Sequence, residues 1–177
     1  KLLLMGLFSS DYQDMMFIPF VQCFLGGENP YQYYYDNGLL PSFPYPPVML
    51  FIECVGGIFI KLGGTLPVFL KNLLFKLPLL LVDLMGLYYL MRISKCRRKY
   101  IMALYFLSVI LYASYMHGQL DIIPTVFLMA AIYYMTQAGV SWEESVRNDW
   151  KFMVFLTLSL ASKLHIVVVF PLFFLYL

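Results

Sequence analysis

The chain has 177 residues, 62% of them hydrophobic and 12% charged, with a formal net charge of +2. That is about half the charge of an ordinary soluble domain, and apolar runs recur at lengths that match a bilayer's hydrocarbon. The composition is that of an all-α polytopic membrane protein. A net charge this small argues for no nucleic-acid partner. Cys23, Cys54 and Cys96 share no metal-ligand spacing and read as small apolar residues.

Residues 1–8 are too short to span and read as the outer end of a first helix. Lys1 enters an apolar run at once and PLFFLYL ends inside another, so the sequence is expected to be an excerpt of a longer protein. Its organisation is expected to be one transmembrane module over 1–177, with an outer-face catalytic loop at 9–47 and transmembrane helices across 48–177. Ser9 or Ser10 can cap the helix that follows, because a hydroxyl satisfies free N–H groups at a helix start. Asp11 and Asp14 then fall in its first turn, where the macrodipole favours negative charge. Residues 12–25 are mostly apolar; Pro19 should kink them and Gly26-Gly27 should end them. This predicts an interfacial helix lying in the headgroup region.

Pro30, Pro41, Pro44, Pro46 and Pro47 break regular structure over residues 28–47. Tyr31, Tyr33, Tyr34, Tyr35 and Tyr45 suit an aromatic belt at a membrane surface. They equally suit a sugar site, where a ring packs on C–H groups and its hydroxyl bonds oxygens.

The next span is predicted from Pro47 to Ile60, with Glu53 inside it as a functional-site candidate. Residues 71–91 read as another, carrying Lys76 and Asp83 on one face but roughly 10 Å apart along the axis, too far to pair directly. RISKCRRK, residues 92–99, is the densest basic stretch and predicts a cytoplasmic loop. Residues 100–116 cross back to deliver HGQLD, residues 117–121, at the far surface. Residues 122–135 return, and 137–151 read as a polar loop with a Ser141–Glu144 capping box. The last apolar run, 152–177, is interrupted by Ser162, Lys163 and His165. Parity poses a problem: the aspartates and HGQLD need one face and the basic run the other, yet two apparent spans separate residue 48 from residue 91. Either one of those spans is re-entrant, or a short third passage hides at 61–70. A strictly alternating reading would instead make HGQLD cytoplasmic, and the clustered basic residues weigh against it.

Asp11, Asp14, His117, Gln119, Asp121, Lys163 and His165 are thereby predicted to meet at one membrane face. A carboxylate in a wet cleft can take a proton from an alcohol as general base. Cationic and N–H groups can hold a departing phosphate. Each residue also has a purely structural reading: helix-end electrostatics for the aspartates, helix-end placement for the histidines, and snorkelling for Lys163.

Several short patterns stand in register along the chain. They are Asp11-Tyr12-Gln13, Gly27-Glu28-Asn29-Pro30-Tyr31, Tyr45-Pro46-Pro47, Lys76 to Asp83 (KLPLLLVD), His117 to Asp121, and Lys163 with Pro171. In these the chain resembles the polyprenyl-phosphate-sugar-dependent membrane glycosyltransferases of the GT-C class, in particular the mannosyltransferase-like branch. The resemblance implies a GT-C transmembrane module with an interfacial helix after the first span. It implies inverting transfer of a hexose, mannose first, from a polyprenyl or dolichyl phosphate donor to a glycan or glycolipid acceptor. The site would face away from the cytoplasm in a bacterial plasma membrane or the endoplasmic reticulum, among membrane lipids. By the same resemblance Asp11, with Asp14 near it, is the catalytic carboxylate. Lys163, His165, His117 and Gln119 would hold the donor phosphate, and Tyr12, Asn29, Tyr31, Tyr45 and Asp121 the substrate. Where the GPI-mannosyltransferase members carry Asp-x-Asp, this chain has Ser9-Ser10-Asp11. That departure weakens the case for a divalent metal bridged by two aspartates, which stays open as the one cofactor to consider. Two other classes remain open: a lipid-linked sugar transporter, which would show repeated halves, and a non-catalytic subunit of a glycan-assembly complex, whose outer carboxylates would be dispensable.

Overall fold

The structure is a computed structural model describing residues 1–39, 43, 45–94, 97–137, 141–169 and 171. The predicted loop prolines Pro41 and Pro44, Cys96, and residues 172–177 of the last apolar run lie outside the described residues. Every regular element among the described residues is helical, so the fold is all-α. α1 is Leu2–Leu7. Ser10 opens the next helical stretch, its hydroxyl accepting from the Gln13 amide at 3.2 Å, as the sequence predicts. The stretch widens into a π-helical turn at Gln13–Phe17 before α2, Ile18–Leu25. Pro19 is the second residue of α2, directly after the π-helical turn in a continuous helical stretch. Gly26 and Gly27 close the helix.

α3, Pro30–Asp36, sits within the proline-rich stretch. α4 is Pro47–Gly63, α5 Val68–Phe75 and α6 Leu77–Ile93. The expected continuous span at 71–91 is therefore broken at Lys76, and the two pieces meet at 45°. Pro78 explains the break, since it cannot donate back into α5. The stretch 100–116 is broken as well, into α7, Arg98–Tyr105, and α8, Ser108–Leu111, with a π-helical turn at Tyr112–Met116. α9 is Ile122–Met135 and α10 is Trp142–Ser162. The polar stretch at 137–151 is mostly helix rather than loop. The Ser141 hydroxyl caps the Glu144 amide at 3.2 Å, so the predicted capping motif starts a helix that runs on into the apolar segment.

α6 and α9 run side by side in the same direction, with Gly86 against Val126 and Tyr89 against Tyr133 and Tyr134. α10 returns antiparallel to α9: Phe155 stacks on Tyr134, and the Ser159 hydroxyl donates to the Pro124 carbonyl at 2.7 Å. α4 lies along α2, and the Lys61 ammonium reaches the Leu25 carbonyl at 2.7 Å. α4 also meets α5 so closely that a Cβ on Gly56 would stand 2.4 Å from the Phe75 carbonyl oxygen. Only glycine permits that approach.

Among the described residues no single helix is long and apolar enough to cross a membrane. Two bent pairs are, α5 with α6 and α7 with 108–116. α4, at 17 residues, belongs to neither pair. Leaving Lys76, α6 travels 17 residues, about 25 Å, before the basic stretch, and residues 98–116 lead back.

Candidate functional site

Three chain segments meet where α1 ends, where Ser10 starts the next helix, and where the turn Tyr112–Met116 ends. The Ser10 hydroxyl donates to the His117 carbonyl at 2.6 Å, joining residues 107 positions apart. Gly118 follows at φ +72°, a left-handed backbone that turns the chain towards Gln119 and that glycine adopts without strain. A cavity of about 350 Å³ opens at this junction, lined by Phe8, Ser9, Ser10, Asp11, Tyr12, Tyr112, Met116 and His117. The His117 ring is set by two tyrosines: Tyr12 meets it edge-on at 5.5 Å and Tyr112 lies parallel to it at 6.1 Å.

A second, smaller cavity of about 160 Å³ shares Tyr12 and His117 and adds Phe17, Tyr45, Gly118 and Gln119. Beyond it Lys163 is ion-paired with Asp121, both partly exposed, and its ammonium lies 5.5 Å from the centre of the Tyr45 ring. Burial pushes the Tyr45 phenol up to about 12, with the Asp121 and Glu53 carboxylates adding to the shift. Tyr31 is likewise pushed up to about 12, by burial and then by Cys54. Both hydroxyls therefore keep their protons at neutral pH. That of Tyr31 donates to the Tyr45 carbonyl at 2.9 Å.

The predicted residues are thus divided. Asp11, Tyr12, His117, Gln119 and Tyr45 share two adjoining cavities, and Asp121 and Lys163 stand beside them. Asp14 is exposed, takes a hydrogen bond from the Ser9 hydroxyl at 2.6 Å, and lines neither cavity. Asn29 is the N-cap of α3, its side-chain oxygen accepting from the Tyr31 amide at 3.1 Å and the Gln32 amide at 3.4 Å. With Tyr31 and Glu28 it walls a separate cavity of about 370 Å³. His165 belongs to the short 3-10 stretch Leu164–Val169, and its side chain lies outside the description.

Three residues of the junction escaped the sequence reading. Ser10 was visible only as a cap, and its second bond, to His117, depends on a segment far away in sequence. Tyr112 was one tyrosine of many. Lys76 was weighed only against Asp83, although a lone cation one residue before a proline-broken helix is a signal of its own. Asp83 in fact takes Lys1 at 2.5 Å and the hydroxyls of Tyr105 and Tyr115. Among the described residues no three His, Cys, Asp or Glu side chains gather closely enough to hold a metal ion. No family model, curated protein or solved structure matches the chain.

Proposed function

We propose that this chain forms the acceptor-activating part of an integral membrane glycosyltransferase of GT-C type. It moves a hexose, mannose first, from a polyprenyl or dolichyl phosphate to a glycan or glycolipid hydroxyl. The observation that carries the reading is the junction cavity, where Asp11 and His117 line one space that shares Tyr12 and His117 with the Tyr45–Gln119 cavity. Asp11 takes the acceptor hydroxyl proton as that oxygen bonds the anomeric carbon. The bond from that carbon to the lipid phosphate breaks on the opposite face, which inverts the configuration, and the phosphate leaves with the electron pair. Lys163, His117 and Gln119 stand on the side where that charge develops, the arrangement that stabilises a leaving anion.

In this reading the cavities face away from the cytoplasm and Arg98 faces it. The clustered cations of 92–99 support that orientation. Cysteine scanning with an impermeant reagent in intact cells is expected to label positions 11 and 117 and spare position 98; labelling at 98 would reverse the orientation. The reading itself is tested with the purified full-length protein, a radiolabelled polyprenyl-phosphate hexose and the Asp11→Asn variant. Transfer is expected to collapse while donor binding persists. Native transfer by Asp11→Asn would turn the assignment towards a transporter or an accessory subunit.

A further inference from the structure

Lys76 is 2% exposed and sits at the break between α5 and α6. Its ammonium donates to the Phe8 carbonyl at 2.6 Å and to the Tyr115 carbonyl at 3.0 Å. Those carbonyls belong to the two segments whose next residues line the junction cavity. Phe8 precedes Ser9, Ser10 and Asp11, and Tyr115 precedes Met116 and His117. Each carbonyl lies at a helix end, where the last carbonyls lack an intrahelical donor. A charged donor supplies the strongest available substitute. One buried cation therefore ties together the two halves of the cleft from beneath.

A cavity of about 10 Å³, room for roughly one water molecule, is lined by Lys76, Glu53, Gln13, Phe17, Phe75, Leu79, Gly118 and Leu120. Glu53 is 2% exposed. The Gln13 side-chain oxygen is buried without a partner in the same place. Gln13 uses its amide nitrogen on Asn72 at 3.1 Å, and Asn72 in turn reaches the Gly6 carbonyl at 3.4 Å.

We propose that Lys76 is a positioning residue, fixing Asp11 and His117 across the cleft through the Phe8 and Tyr115 carbonyls. Its consequence for rate rests on the glycosyltransferase reading; its effect on the distance across the cleft does not. The test is a spin-label distance measurement between Ser9→Cys and Met116→Cys in the purified full-length protein, with Cys23, Cys54 and Cys96 replaced by alanine. Lys76→Met removes the ammonium that holds both carbonyls. The distance distribution in the folded variant is expected to broaden and move outward. Lys76→Gln, a neutral donor too short to reach both carbonyls, is expected to do the same. A native distribution in either folded variant would overturn the clamp. Loss of transfer with an unchanged distance would count against the clamp and leave the glycosyltransferase reading standing.

Discussion

The junction around His117 and the tyrosine platform at 28–39 are both polar and aromatic, but they use their polar groups differently. On the platform three bonds are local: Asn29 caps its own helix, Gln32 reaches Asp36 at 2.8 Å, and the Asn37 side chain reaches the Tyr33 carbonyl at 2.7 Å. One, from the Tyr31 hydroxyl to the Tyr45 carbonyl, reaches 14 residues along the chain. At the junction they join distant segments, Ser10 to His117, Lys76 to Phe8 and Tyr115, and Lys163 to Asp121. Local bonds complete helices that the sequence already specifies. Long-range bonds fix the relative position of side chains, which is the requirement of a site that does chemistry. In the proposed glycosyltransferase reading, that difference makes the platform the scaffold and the junction the place of reaction.

The most severe test of that division is the pair of aspartates, which the sequence places three residues apart on one turn. Asp11 lines the cavity and Asp14 does not. General-base catalysis contributes ~10²–10⁴-fold. Asp11→Asn is therefore expected to lower kcat by a factor in that range, with little change in melting temperature. Asp14→Asn is expected to cost much less, since Asp14 accepts from Ser9 and lines neither cavity. Equal losses in the two variants would remove the distinction that the cavity draws between them.

Next in size is the cation at the rim. Lys163→Ala is expected to raise the donor concentration needed for half-maximal transfer by ~10–100-fold, the worth of a charge-assisted hydrogen bond of ~1.5–3 kcal/mol. Asp121→Asn sharpens the result. Lys163 is paired with Asp121 in the structure, and both are partly exposed, so the pair itself contributes little stability. Releasing Lys163 from it should tighten donor binding, whereas a snorkelling Lys163 would respond to neither change.

The helical class and the polar residues of the junction were legible because hydropathy, caps and prolines act locally. Ser10 capped where expected, Gly26-Gly27 stopped α2, and Ser141 began α10. The break at Lys76 was legible in principle from Pro78, but an unbroken apolar run hid it. Which polar groups would meet was only half legible, because contacts such as Ser10 with His117 depend on how α6, α7 and α9 return to one end. Asn29 misled for the opposite reason. Its place in a short motif suggested ligand binding, while its chemistry, an amide before Pro30 at a helix start, is equally that of a cap.

The smallest expected effect is the sharpest on that last point. α3 has seven residues, too few to be stable by propensity alone, so its N-cap carries much of its order. Asn29→Ala removes the acceptor for two amides and should cost ~1 kcal/mol, equivalent to roughly a fivefold rise in local opening. Hydrogen exchange at the amides of α3 is therefore expected to speed up by about that factor. Transfer should stay within experimental error of the native rate, because Asn29 lines a cavity separate from the one holding Asp11. Asn29→Ser, which keeps a capping oxygen, should restore slow exchange. If Asn29→Ala instead abolishes transfer while exchange stays slow, the side chain touches substrate. The cavity it shares with Glu28 and Tyr31 would then belong to the reaction, and the platform could no longer be set apart from the junction as scaffold.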